Sequence, residues 1–264
     1  MSITKPRPTT GAVFCIQWAY LRIRQTHLGK VIFICRISLV VLGLLLCAVG
    51  LRKVSRSQTW QIMGDLIHHG DRSQKVIALT FDDGPTAKYT GEILEILDHH
   101  QTPATFFLIG KFVDEHPQTV AQIAQHGHEI GNHSYSHKRM MLRTPAWIRT
   151  ELIKTDQAIR NAGYTGPIQF RPPFGRKLLM LPYVLSLDNR TTFMWSIAPE
   201  SDLGQDATAA QIANYTVNNT AAGDIILLHP MYSHRDQVRA ALPKIITDLK
   251  SQGYTFVTLS NLSL

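Results

Sequence analysis

From Lys75 onward the chain alternates short apolar runs with longer stretches whose apolar residues recur at spacings of three and four. That order is the signature of repeated strand–helix units and predicts an α/β fold with a mostly parallel sheet. Seven runs read as strands: "KVIALTF" (75–81), "ATFFLIG" (104–110), "HEIGNHS" (128–134), "PIQFRP" (167–172), "TTFMWSI" (191–197), "DIILLH" (224–229) and "YTFVTLS" (254–260). Between them, "GEILEILDHH" (91–100), "TVAQIAQHG" (119–127), "WIRTELIKTDQAIRNAG" (147–163) and "VRAALPKIITDLKSQG" (238–253) carry helical periodicity. Pro117 suits a first helical turn, and Gly127, Gly163 and Gly253 suit helix ends. A barrel of seven or eight such units accommodates the pattern. Barrel enzymes keep their chemistry at the C-terminal ends of the strands, so polar residues are expected to collect there.

Ahead of this region, "VIFICRISLVVLGLLLCAVGL" runs from Val31 to Leu51, interrupted only by Arg36. A bilayer core is crossed by about 20 apolar residues in a helix. Arg36, near the start, can snorkel toward the headgroups. Residues 1–30 are a basic segment without acids, and Arg52, Lys53 and Arg56 follow the run. The positive-inside bias predicts a single-pass transmembrane signal-anchor over 31–51 with the N-terminus in the cytoplasm and the remainder outside. The alternative is secretion after cleavage of a signal peptide at the small residues Ala48 and Gly50. Residues 52–72 read as a connector to the body of the chain, 73–262.

The formal charge of +8 is confined to the front of the chain. Nine of the 27 Lys and Arg and none of the 19 Asp and Glu precede Asp65, which leaves the body 18 basic against 19 acidic residues. Nucleic acid is therefore not an expected partner. Cys15, Cys35 and Cys47 all lie in the N-terminal part, so the body offers no thiol for a disulfide, a zinc–thiolate site or a nucleophile.

The polar residues do fall at strand ends: Asp82 and Asp83, His133 and His137, Arg171, Glu200 and Asp202, and His229. Two histidines four apart can converge on one divalent ion, although twelve histidines make such a pair easy to obtain by accident. His99–His100 and His126–His128 read as surface pairs. With an aspartate from another strand end, His133 and His137 form a set of one oxygen and two nitrogens, which leaves positions open for water and substrate. The adjacent acids can then divide their tasks, one ligating the ion and the other standing by as base; "DDG" in isolation reads as a capping turn. Arg171, stiffened by two following prolines, can hold a carboxylate bidentately. His229 reads either as a general acid or as a core histidine.

"TFDDGP", "HSYSH", "RPPFG" and "LLH", in this order, resemble the polysaccharide deacetylases of carbohydrate esterase family four, with the nodulation-protein-B-like fold, over roughly 73–262. The resemblance implies a distorted (β/α)7-type barrel that removes acetyl groups from N-acetylated, less often O-acetylated, sugars with a divalent metal ion, most commonly Zn2+. It implies Asp82 as base, Asp83, His133 and His137 as metal ligands, Arg171 as the tether of Asp82, and His229 as general acid. It further implies that the backbone N–H of Phe174, where tyrosine is usual, supports the oxyanion, and that Leu227 and Trp195 line the pocket. One motif departs. Where the family carries W-x-x-D-x-x-D-W, this chain has "WSIAPESDL", so that Asp202, or Glu200 in its place, is expected to orient His229.

The resulting expectation is a metal-dependent deacetylase of acetylated envelope polysaccharide or peptidoglycan-like substrate, held at the membrane by its N-terminal helix. An amidohydrolase or esterase on a small or non-sugar substrate, and a catalytically silent carbohydrate-binding protein, are the competing readings.

Overall fold

The computed structural model describes residues 10–204 and 206–264; Lys5 and Arg7 of the basic segment lie outside them. The chain divides into two compact units, Met1–Arg52 and Lys53–Leu264. The first is dominated by helix α1, Thr10–Arg56, of 47 residues, which extends the predicted 31–51 span at both ends. Its stretch from Phe33 to Arg56 is long and apolar enough to cross a membrane, as a signal sequence near an N-terminus also is. The side chains from Phe33 to Leu51 are all exposed.

The second unit runs β1 (Leu66–Ile67), β2 (Val76–Asp82), α2 (Ala87–His99), β3 (Thr105–Leu108), α3 (Gly110–Glu115), α4 (Pro117–Gln125), β4 (Glu129–Asn132) and α5 (Pro145–Asn161). It continues with α6 (Met180–Leu187), β5 (Thr192–Phe193), α7 (Pro199–Leu203), α8 (Ala209–Asn219), β6 (Ile225–Leu228), α9 (Asp236–Ser251) and β7 (Thr255–Val257). Every named strand pair is parallel. The order β4–β3–β2–β6 forms the main path, with β7 also on β2 and β1 on β5. Isolated bridges Asn132–Phe170, Phe170–Thr192 and Ile197–Ile226 close the ring from β4 back to β6. The barrel is thus complete in path and thin on one side, where single bridges replace ladders.

That thin side corrects two expectations. The run 167–172 forms no strand beyond the bridging Phe170. Pro167, Pro172 and Pro173 cannot donate to a ladder, which confines pairing to the short stretch between them, centred on Phe170. The connector 52–72 contributes β1, whose Leu66 and Ile67 pair with Thr192 and Phe193. The expected helix ends hold: Gly127, Gly163 and Gly253 have φ of 80°, 93° and 86° and follow α4, α5 and α9, where a residue without Cβ is unstrained.

Strand alternation sets the interior. Ile77, Leu79 and Phe81 join the large apolar cluster under the outer helices, while Ala78 packs inward with Phe107, Phe193 and Ile225. Successive residues point to opposite faces, so Thr80 and Asp82 share the interior with Ala78, and Leu227 and His229 share it with Ile225.

Candidate active site

Parallel register brings the strand ends to one level: Asp82 pairs with Phe107, Phe81 with Leu228, and Leu108 with Asn132. Asp82, His229 and His133 therefore emerge together at one mouth. A cavity of about 460 Å³ opens there, lined among others by Asp82, Asp83, His133, His137, Trp195, Leu227 and His229. Phe174 is at its wall, whereas Asp202 is not.

Arg171 is fully buried and every arm of its guanidinium is used. Nη1 donates to Asp82 Oδ1 at 2.6 Å and to Thr80 Oγ1 at 2.9 Å, Nη2 to the Met194 carbonyl at 2.9 Å, and Nε to the Phe193 carbonyl at 3.4 Å. Its plane lies over the Phe107 ring, 4.2 Å from the centroid. The contact with Asp82 is through one nitrogen, not the expected bidentate fork, because backbone carbonyls occupy the other arms. Burial pushes the Asp82 carboxyl upward, but Arg171, His133 and His229 more than offset it and hold the group below the usual carboxylate range.

His133 Nδ1 lies 2.8 Å from the Arg171 carbonyl. A carbonyl can only accept, so Nδ1 is the donor here and Nε2 is left to face the carboxylates. That nitrogen is 3.7 Å from both Asp82 Oδ2 and Asp83 Oδ1. His137 Nε2 is 3.1 Å from Asp83 Oδ1, and burial, with His133 beside it, lowers the His137 pKa to about 4. Asp83 Oδ1 is buried without a hydrogen-bond partner. One ligand atom from each of Asp83, His133 and His137 lies within 4.8 Å of the others. Electron-rich atoms this close repel unless a cation lies between them, and one oxygen with two imidazole nitrogens is a donor set that zinc accepts with a position left open. The residues present fit a divalent ion.

The backbone is bent to make this set. Asp83, Ser134, His137 and Phe174 have φ of 73°, 64°, 55° and 58°, a region that costs non-glycine residues energy and recurs at functional sites. Hydrogen bonds hold the 133–137 loop in place. Asn132 Oδ1 accepts from Ser134 N at 2.8 Å, and Asn132 Nδ2 donates to Asp156 Oδ1 at 2.7 Å. Glu151 accepts from both the N–H and the hydroxyl of Ser136. The Phe174 ring packs 4.6 Å from that of His137. Of the other histidine pairs, His128 proves buried rather than exposed.

Across the cavity, His229 is paired with Glu200. Glu200 Oε2 accepts from the His229 backbone N–H at 2.7 Å and lies 3.2 Å from Nδ1. Burial lowers the His229 pKa, but the hydrogen bond to Glu200 and the charges of Glu200, Asp82 and Asp83 raise it further, so that it lies above the ordinary imidazole value. Asp202 does not reach His229: it is exposed and its Oδ2 accepts from the Tyr215 hydroxyl at 2.9 Å. The reason is helical phase. Both acids sit on α7, and residues two apart on a helix point about 200° away from each other, so turning Glu200 inward turns Asp202 out.

Among the wall residues not singled out from sequence are three with functional side chains in one run: Tyr232, His234 and Arg235. Burial and the Asp83 carboxylate beside it push the Tyr232 phenol up, and Arg235 Nη1 is 3.2 Å from Glu200 Oε1. Their signal was the aromatic and basic run "YSHR" directly after the last catalytic strand end.

The polysaccharide deacetylase family model matches residues 69–188. A peptidoglycan-N-acetylglucosamine deacetylase of Bacillus cereus is 34% identical over 204 residues, covering 77% of this chain and 92% of that protein. A peptidoglycan-N-acetylmuramic acid deacetylase of Bacillus subtilis is 33% identical over 203 residues, 75% of each chain. Among solved structures, a peptidoglycan N-acetylglucosamine deacetylase in complex with 4-naphthalen-1-yl-N-oxidanyl-benzamide superposes with a TM-score of 0.70 at 34% identity, covering 75% of this chain and 92% of that one.

Proposed function

Since the chain belongs to the polysaccharide deacetylase family, we propose that it hydrolyses acetyl groups from N-acetylated sugars of a cell-wall polysaccharide, with peptidoglycan as the first candidate. The observation that carries this reading is the pairing, across one cavity, of the buried Asp82–Arg171 couple with the His229–Glu200 couple, beside the Asp83, His133 and His137 set.

Asp83, His133 and His137 would hold the divalent ion, most simply Zn2+ for this donor set. When bound, the ion supplies Lewis-acid polarisation of the acetyl carbonyl and lowers the pKa of water. Asp82 is the general base: Arg171 fixes Oδ1, and Oδ2, on the histidine side, accepts a proton from the attacking water. His229, held by Glu200 at Nδ1, donates from Nε2 to the leaving amine as the C–N bond breaks. The Phe174 N–H, on its left-handed backbone, supports the negative charge on the former carbonyl oxygen. Leu227 and Trp195 offer an apolar wall for the acetyl methyl. The apolar part of α1 anchors the enzyme, N-terminus in the cytoplasm, with the catalytic unit outside; cleavage of the same segment would release it.

Acetate release from N-acetylglucosamine oligomers and from peptidoglycan, before and after removal of divalent ions by a chelator, tests the reading. The expected result is release that stops on chelation and returns on adding a divalent ion. Glycan binding without acetate release would mark a silent binding protein, and acetate from small acetylated esters or amides alone would overturn the polysaccharide assignment.

A further inference from the structure

Helix α6 is apolar on both sides. Leu181, Val184 and Leu185 pack into a core cluster with Met140, Ile148, Leu152 and Phe170. On the other side Leu179, Tyr183 and Leu187, spaced four apart, are 42%, 40% and 51% exposed. Residues at i, i+4 and i+8 form one stripe along a helix. A soluble helix presents polar residues on such a face. Contiguous exposed apolar surface marks an interaction site, whereas scattered single residues do not.

The segment that follows α1 runs beside this helix and is itself partly apolar and exposed. Trp60 and Ile62 are 53% and 40% exposed. The Ser55 carbonyl accepts from the Lys177 N–H at 3.1 Å, and the Ser57 carbonyl accepts from the buried Lys177 ammonium. A Cβ at Gly64 would lie 3.4 Å from that of Ser186. The last turn of α1 and the chain after it are therefore strapped along α6, within the Lys53–Leu264 unit. Lys53 and Arg56, both exposed, lie at its head, and no acid occurs before Asp65.

We propose that this face is a membrane-docking surface, on which Leu179, Tyr183, Leu187, Trp60 and Ile62 enter the interfacial zone of the bilayer that α1 crosses. The inference rests on the reading of α1 as a membrane anchor. The occupant follows from continuity: the patch is tied through Ser55 and Ser57 to the C-terminal end of α1, four and six residues past Leu51, and residues that close to a span lie within reach of its headgroups. Its chemistry agrees, with a tryptophan and a tyrosine suited to the water–lipid boundary and a basic head suited to anionic lipid. Docking has a consequence for the site. Leu179 is five residues from Phe174, whose ring packs on His137, so docking of this face would set the candidate site close to the membrane.

The test uses the full chain in vesicles of phosphatidylcholine and phosphatidylglycerol, in a background with Cys15, Cys35 and Cys47 replaced by serine. A polarity-sensitive dye is placed by Tyr183→Cys, by Leu187→Cys, or by Ser251→Cys at the exposed end of α9; a fourth protein keeps Cys47 alone, inside the span. Dyes at 183 and 187 are expected to emit at shorter wavelength than at 251 and to be quenched by lipids carrying a spin label near the headgroup. Quenching at Cys47 without quenching at 183 and 187 overturns the docking surface and leaves the anchor standing. No quenching at Cys47 overturns the anchor itself. A short-wavelength emission at 183 that spin-labelled lipid does not quench assigns the face to a second copy of the chain, and also overturns the proposal.

Discussion

Glu200→Gln isolates the charge behind the proposed acid. Gln keeps an oxygen for the His229 backbone N–H, now 2.7 Å from Glu200 Oε2, so the local fold is retained while the negative charge beside Nδ1 is lost. A hydrogen bond to a charged group is worth about 1.5–3 kcal/mol. If the bond strengthens as His229 carries its proton to the leaving amine, its loss lowers kcat by roughly 10- to 150-fold, at about 1.4 kcal/mol per decade. The pH profile supplies the discriminating readout. Glu200 is the largest of the influences that raise the His229 pKa, and burial opposes it. An acid with a raised pKa stays protonated further into the alkaline range, and activity is lost as pH rises through that pKa. Without the Glu200 charge the largest raising influence is gone, and the alkaline limb moves to lower pH. Initial rates of acetate release from N-acetylglucosamine oligomers across the neutral and alkaline range measure both effects. Asp202→Asn, at an exposed residue bonded to Tyr215, is the control and is expected to change kcat by less than about 2-fold, as surface substitutions do. An unmoved limb in Glu200→Gln together with a displaced one in Asp202→Asn would refute the reasoning.

The neighbouring acids separate in the same manner. Asp83→Ala is expected to lose the divalent ion on dialysis, whereas Asp82→Asn retains it and loses about 10²- to 10⁴-fold of activity as a missing general base; elemental analysis of the dialysed proteins decides, and equal retention by both would contradict the division of roles. Asp82→Asn also leaves Arg171 without its carboxylate, and breaking a buried pair costs about 3–5 kcal/mol, so its melting temperature must be recorded beside its activity. Gly131→Ala tests the support beneath Arg171: a Cβ there would lie 2.5 Å from the Phe107 ring on which the guanidinium rests. Overpacking of this kind costs about 1–3 kcal/mol, and in a unit of this size each kcal/mol lowers the melting temperature by about 2–4 °C; an unchanged melting curve would show that Phe107 yields freely.

The strands legible in the sequence are those buried on both faces. Val76–Asp82, Thr105–Leu108 and Ile225–Leu228 are nearly unbroken apolar runs because helices cover one side and the barrel interior the other. Leu66–Ile67 escaped because two residues among polar neighbours carry no period, and their partner lies more than a hundred residues away in Thr192–Phe193. α8 could have been found: Thr208 and Gln211 carry the spacing of a capping box, which the structure forms. α6 could not be read by amphipathic pattern, since both of its faces are apolar.

At the site, the inward residues were legible for the same reason as the strands. A period of two fixes Asp82 by Ala78 and His229 by Ile225, so finding the run finds the residue that ends it. The partner of His229 was not, because a helix of five residues has no repeat from which to read its phase. The structure supplies the phase through one bridge, Ile197 to Ile226, reinforced by Leu227 N donating to the Ile197 carbonyl at 2.8 Å. His229 lies three residues beyond Ile226 and Glu200 three beyond Ile197, so equal offsets from a common register bring them level; Asp202, two further on, has turned away. Pro199 at the first position of α7 starts the helix immediately after that bridge and leaves no slack in which the offset could change. An insertion of one residue between Ile197 and Pro199 would rotate α7 by about 100°. It is therefore expected to withdraw Glu200 from His229 and to lower kcat as Glu200→Gln does, which the same acetate assay would detect.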